Sequence, residues 1–392
     1  FKDFLVKGVI GGVGSVLIFL PNILLLYLMI SLMEDTGYMA RAVFIMDKAM
    51  HKIGLHGKSF IPLLMGFGCN VPAILSTRII ESKRDRLLTI LINPFMSCSA
   101  RLPIYVLLIS AFFPSNQGSM LFLVYIIGIS LGILSALLFQ KTIIKKAEIP
   151  FVMELPPYRV PTSRSLLRHM WHRTEQYLKK ITGVILIASV IIWALNYFPV
   201  NEKMERQHQQ KLANLQTEIE LQEGTLSASR IDTLENQMRI TEASYQVSKQ
   251  ENSYIGRLGQ AIQPVMKPLG FDWKMSVAIL TGITAKEVIV GTLGVLYQNQ
   301  DADDPGDHSL GEKLKHQRYQ EGPDEGELIF TPLVAFTFMI FILIYFPCIG
   351  VVAAIKKETG SWRWPVFSIL YNTGIAWLVS LVVYQGGKLL GF

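Results

Sequence analysis

Three cysteines, Cys69, Cys98 and Cys348, fall inside hydrophobic runs of a 392-residue chain, and each stands beside residues that break helices. Cys69 lies in Met65-Gly66-Phe67-Gly68-Cys69-Asn70-Val71-Pro72-Ala73, Cys98 follows Pro94, and Cys348 follows Pro347. An odd number of thiols in apolar surroundings gives no disulfide framework, so free thiols or metal ligands are the better reading. One such cysteine alone is ordinarily a small packing residue. Three beside breaks weigh toward ligands, and Asn70 adds a neutral oxygen donor next to Cys69. Sulfur with oxygen donors suits a borderline-soft divalent ion such as Fe2+, whereas Mg2+ or Ca2+ would call for cages of oxygen and carboxylate.

Glu287, in Thr284-Ala285-Lys286-Glu287-Val288, sits deep in an apolar run, where a lone carboxylate costs roughly 2.5 to 3.5 kcal/mol or more. It is either an ion ligand or the partner of Lys286 or another base. Adjacent helical residues do not face each other, so pairing with Lys286 would need an irregular backbone. Glu34 and Asp35 end the first hydrophobic run, as a ring of charge at a pore mouth or as a solvated helix end. Gly57-Lys58-Ser59 mimics the end of a phosphate loop, but position 52, where the first glycine belongs, is Lys, and no strand precedes it. No nucleotide site is expected in this chain. His308 and His316, in an acidic loop, could collect metal, but solvated loop histidines are commoner.

These residues need elements to hold them. The chain is 51% hydrophobic and 17% charged, with mean hydropathy +0.36, a membrane-protein profile. Eight runs approach the length needed to cross lipid: 9 to 33, 59 to 76, 87 to 113, 120 to 140, 181 to 199, 275 to 297, 332 to 355 and 366 to 384. An all-α polytopic transmembrane fold follows, because helices satisfy their backbone in hydrocarbon. The first run lacks an initiator Met and a small-residue cleavage site, so it is not read as a signal peptide, and the chain is expected to start partway into a longer protein. The net charge of +7 does not imply nucleic acid, because the basic residues collect beside membrane runs.

Orientation is what they encode. Residues 141 to 180 carry nine Lys or Arg against three acids, which places that segment in the cytoplasm. Residues 298 to 331 carry three bases against nine acids, which places them outside. An internal repeat sets 54 to 75 against 270 to 291 without gaps, pairing Gly54 with Gly270, Lys58 with Lys274, Leu64 with Leu280 and Gly66 with Gly282. Each copy is followed by a run with a Pro and a Cys. Charge placement makes 59 to 76 re-entrant from inside and 275 to 297 re-entrant from outside, so the two gate-type repeats are inverted. Interrupted segments in inverted repeats mark the substrate site of secondary transporters.

Residues 202 to 252 are polar, with Leu212, Leu215, Ile219, Leu226, Ile231, Leu234 and Met238 at helical spacing. They predict an extramembrane, coiled-coil-like helical hairpin turning near Gly224, without chemistry of its own. The expected organisation is a first gate repeat at 1–140, a basic connector at 141–180, a transmembrane helix at 181–201, the helical insert at 202–258, and a second gate repeat at 259–392 with its acidic outer loop at 298–331.

At this point a resemblance is plain. The stretches EDTGYMARAVFIMDKAM from Glu34, GKSFIPLLMGFGCNVPAI from Gly57, RDRLLTILINPFMSCSARLPIY from Arg84, PFVMELPPYRVP from Pro150, TAKEVIVGTLGVLY from Thr284 and YFPCIGVVAAIKKETG from Tyr345 resemble the membrane domain of the FeoB-type bacterial ferrous iron transporters. The likeness runs from about residue 8 to 385. It implies two gate regions, a path for Fe2+ as the transported substrate, metal-handling cysteines at Cys69, Cys98 and Cys348, and a place in the bacterial cytoplasmic (inner) membrane. It also implies an N-terminal GTP-binding domain, with its GTP and Mg2+, lying outside this chain. Small cytoplasmic Feo accessory proteins and a homo-oligomer are further expected partners.

The preferred reading is a ferrous iron permease domain, not an enzyme, with Cys69, Cys98, Cys348, Asn70 and Glu287 handling the metal. The alternatives are a gate-type transporter of an organic solute such as a nucleoside, which would need a larger polar pocket, and a membrane sensor that recruits a partner through 202 to 252.

Overall fold

The computed structural model describes residues 11–142, 158, 160–199, 202–222, 228–297, 310–319 and 326–391. Among these the regular elements are helices, and Arg318 and Leu328 form one isolated antiparallel bridge. In chain order they are α1 (Gly11–Asp35), α2 (Tyr38–Lys52), α3 (Phe60–Gly66), α4 (Asn70–Ser76), α5 (Lys83–Ile92), α6 (Leu102–Phe112), α7 (Gln117–Thr142), α8 (Ser163–Tyr197), α9 (Glu202–Gln222), α10 (Ala228–Asn252), α11 (Tyr254–Met266), α12 (Trp273–Thr281), α13 (Val288–Leu296), α14 (Leu310–His316), α15 (Pro332–Ile344), α16 (Ile349–Thr359) and α17 (Arg363–Leu389).

Four described stretches are long and apolar enough to span a bilayer: Lys83–Phe112, Gln117–Thr142, Pro332–Thr359 and Arg363–Leu389. The first and third are interrupted inside, between α5 and α6 and between α15 and α16, where Pro94 and Pro347 withhold backbone donors. The run 181 to 199 is the apolar end of the longer α8, of which Leu186–Tyr197 is a short apolar helix.

The runs 59 to 76 and 275 to 297 do not span. Each is a pair of short helices, α3 with α4 and α12 with α13, and a contact at each mouth shows that the chain leaves where it came in. Lys58 Nζ, before α3, donates to Glu81 Oε1, after α4, at 2.8 Å. Asp272 Oδ1, before α12, accepts from the Tyr297 hydroxyl, after α13, at 2.7 Å, and the Lys274 ammonium lies 5.0 Å from the centre of the Tyr297 ring. Deeper in the second hairpin Thr281 and Thr292 share a hydrogen bond of 3.0 Å across the fold.

A constant offset of 216 residues relates the two copies. It carries Lys58 to Lys274, and Glu81 to Tyr297, so the same pair of positions closes each mouth. It carries His56, whose ring accepts the Lys58 N–H, to Asp272, whose carboxylate accepts the Met275 N–H. Gly54 and Gly270 both have φ of 77°, a left-handed conformation that glycine adopts without penalty.

Helix α17, 27 residues long and so about 40 Å, shows that the copies are inverted. Beside its N-terminus the Glu358 carboxylate receives Arg78 and Arg86, which follow the first hairpin. Beside its C-terminus Gln385 donates to the Pro268 carbonyl and Tyr384 packs on Gly270, which precede the second hairpin. The two mouths therefore open at opposite ends of the bundle. At the second end Phe330 stacks on Phe112 and meets Tyr297 edge-on, which gathers the turn after α6 and the segment before α15 as the charge pattern requires.

Helices α9 and α10 form the expected hairpin, stapled where His208 stacks on Tyr245 at 3.9 Å and shares a 2.7 Å hydrogen bond with Glu242. Leu234 is buried in it. The turn at Gly224 with Leu226, much of the basic connector, His308 and most of the acidic loop lie outside the described residues.

Candidate functional site where the broken hairpins meet

The three cysteines occupy one kind of position. Each is the extended residue immediately before a helical turn: Cys69 (φ −154°, ψ 125°) before α4, Cys98 (φ −76°, ψ 159°) before the turn that leads into α6, and Cys348 (φ −56°, ψ 155°) before α16. The reason is local. Gly66 stands at the end of α3, where a side chain would strike the Asn93 amide, and Pro94 and Pro347 remove donors before the other two.

Carbonyls freed at the breaks are taken by protein donors. Met65 O accepts the N–H groups of Gly68 and Cys69, both at 3.0 Å. Gly68 O accepts the Ser99 N–H at 3.2 Å and the Ser99 hydroxyl at 2.9 Å. In the second copy Ile283 O accepts the Ile349 N–H at 3.0 Å, and the Tyr345 hydroxyl donates to Ile279 O at 3.2 Å. Ser99 follows Cys98, and Ile349 follows Cys348. The residue after each of these cysteines is thus stitched to the break of one hairpin.

This stitching draws together residues far apart in sequence. Cys69 lies within electrostatic range of Cys98, Cys348 and Glu287, and Cys348 within range of Cys98 and Glu287. All three thiols are free and half-buried. They do not close into a cage: among the described residues no group of three or more His, Cys, Asp or Glu is placed to hold a metal ion. Asn70 is buried, with its amide among main-chain oxygens. In one orientation Nδ2 donates to Met96 O at 3.4 Å, and in the other it reaches Asn93 O at 3.2 Å and Gly66 O at 3.1 Å.

Glu287 directly precedes α13 and forms no salt bridge with Lys286, whose Nζ turns instead to Phe346 O at 2.7 Å and lies 3.2 Å from the centre of the Tyr345 ring. Among the described residues Arg101 is the other buried cation, with Nη1 at 3.3 Å from both Pro94 O and Met96 O. Reading the sequence missed both placements; the signal that could have found them was a base inside each apolar run. Asp35 stands apart from the breaks, 3.6 Å from His169. The Gly57–Ser59 stretch is a short helical turn leading into α3.

Against known proteins, a family profile described as "Nucleoside recognition" (Gate) matches residues 16–112 and 178–362. A second, described as "Ferrous iron transport protein B C terminus", matches residues 121–173. The chain belongs to the Gate family. Its FeoB-type relatives include the Fe(2+) transport protein A/Fe(2+) transporter FeoB fusion protein of Porphyromonas gingivalis, 54% identical over 99% of this chain and 45% of the relative. The Fe(2+) transporter FeoB of Leptospira biflexa is 39% identical over 100% and 52% respectively, and that of Campylobacter jejuni 39% over 98% and 56%. The chain spans about half the length of these FeoB relatives. No solved structure matches it.

Proposed function

We propose that this chain is the membrane permease part of a bacterial ferrous iron uptake protein, multi-pass in the cytoplasmic membrane with the Arg78 end facing the cytoplasm. One observation carries the reading: two inverted re-entrant hairpins meet where Cys69, Cys98, Cys348 and Glu287 lie within electrostatic range of one another. The names of its relatives, Fe(2+) transporters, support the same cargo. The ion sheds part of its water at the crossing and is met by thiol sulfur, the Glu287 carboxylate, Asn70 and main-chain oxygen. A ligand set spread over several breaks suits this task, because a closed cage would hold the ion too long for transport. Fe2+ lies low in the divalent affinity order, so Zn2+ and Co2+ compete and availability decides the cargo.

GTP and Mg2+ belong, in this proposal, to a further domain of the whole protein, and accessory proteins and self-association act on that assembly. Flux into proteoliposomes holding the complete protein tests the reading. Fe2+ should enter under reducing, anaerobic conditions and nucleosides should not; nucleoside entry without Fe2+ would replace iron by an organic solute. One cavity of ≈ 270 Å³, between α2, α3, α5 and α7 and lined by Met46, Met50, Phe60, Leu63, Phe67 and Met96 among others, is apolar.

A further inference from the structure

The two copies differ in charge at one equivalent pair: where the first carries Asn70, the second, 216 residues on, carries Lys286. Lys286 reaches the carbonyl two residues ahead of Cys348, Phe346 O, whereas the Asn70 amide lies among Met96 O, Asn93 O and Gly66 O. Only one of these two side chains can carry a charge. The Lys286 side chain is buried, its Nζ 2.7 Å from that oxygen and 3.2 Å from the centre of the Tyr345 ring. A main-chain oxygen beside a π face is a cation site, and in a water-poor interior such a site gains strength.

Among the described residues, Arg101, Cys348, Cys98 and Glu287 act on Lys286 electrostatically and the Tyr345 ring touches it, and none is salt-bridged to it. In the first copy Arg101 covers the corresponding oxygens of Pro94 and Met96 through three hydrogen bonds. Both sets of freed carbonyls are thus occupied by the chain's own cations. Arg101 is a planar fork fixed at several points, whereas Lys286 is a point charge on a flexible stem held by one oxygen and one ring face. Of the two, Lys286 is the one able to leave.

We propose that Phe346 O and the Tyr345 ring form a cation site filled at rest by the Lys286 ammonium, which a passing metal ion must displace to move between Cys98 and Cys348. The inference rests on the ferrous-path reading above. Lys286 then acts as a tethered competitor that keeps the path shut until a divalent ion with stronger attraction for the same groups arrives.

Fe2+ influx by the complete protein in proteoliposomes tests this. Lys286→Ala should raise unstimulated influx roughly tenfold, the change that ~1.4 kcal/mol of barrier represents. Added n-propylammonium, which restores the missing charge, should bring it back toward the wild-type rate, and 1-propanol should not. Lys286→Arg should stay near wild type. Influx at or below wild type in Lys286→Ala, or a rise indifferent to n-propylammonium, overturns the proposal. If that variant does not fold, acetic anhydride labelling of the wild-type protein, read by mass spectrometry, decides: Fe2+ should increase acetylation of Lys286, and unchanged acetylation overturns the displacement. Failure of the wild-type protein to carry Fe2+ at all would instead strike the ferrous reading.

Discussion

Ser99 gives both its backbone N–H, at 3.2 Å, and its hydroxyl, at 2.9 Å, to the carbonyl of Gly68. With the Ile349 to Ile283 bond in the other copy, it explains how glycines and prolines survive in the middle of apolar runs. An unpaired carbonyl in hydrocarbon costs several kcal/mol, and these contacts satisfy the exposed oxygens while fixing Cys98 and Cys348 beside the breaks.

Serine in place of Cys69 or Cys348 keeps the shape and exchanges a soft donor for a hard one. Fe2+ influx should fall by roughly tenfold or more, the scale on which metal sites respond to loss of a supporting group. Undiminished influx at equal expression would remove that residue from the path.

Gly282 and Gly291 make a matched pair. A Cβ at Gly282 would come within 2.5 Å of the Tyr345 hydroxyl and 2.6 Å of the Ile289 side chain, whereas at Gly291 it meets nothing within 4 Å. Gly282→Ala should destabilise by about 1 to 3 kcal/mol through overpacking. Gly291→Ala, inside α13, should be neutral or stabilise by up to ~1 kcal/mol. Thermal unfolding in detergent separates them, and equal effects would contradict the tight hairpin.

The Glu358 side chain, 1% exposed, joins the two repeats through Arg78, 52% exposed, and Arg86. Glu358→Ala should cost about 3 kcal/mol, the lower end for breaking a buried pair, because Arg78 regains water. Arg78→Ala should cost about 1 kcal/mol or less. A double-mutant cycle on unfolding midpoints measures the coupling, which should vanish if the clamp is incidental.

Hydrogen bonding to Lys58 holds the solvent-exposed Glu81 carboxyl below its ordinary range. A depressed carboxylate contributes fully above its unfolded value, about 4.3, and the contribution is lost as pH falls through the folded value. Acid and salt should both loosen this mouth slightly, and Glu81→Gln should remove that part of the acid dependence. An unchanged pH profile of stability in Glu81→Gln would show that the pair does not act in solution.

The helical class, both hairpins and their inversion were legible because glycine, proline and charge leave marks along one dimension. Met65 to Ala73 announced a break. The encounter of Cys69 with Cys348 was legible only as a shared habit of sitting beside breaks, since bringing them together depends on contacts 279 residues apart. Arg101 and Lys286 escaped for a related reason. A base within an apolar run reads as an interruption, and only the fold shows which oxygen receives it.

Two half-depth hairpins that enter from opposite faces place their tips near the middle of the electric field across the bilayer. A divalent ion resting there has crossed about half the voltage drop, worth roughly 2.3 kcal/mol at 100 mV. On the proposed ferrous path, a membrane potential negative inside draws the ion to the crossing, and Fe2+ uptake should steepen as the membrane is hyperpolarised.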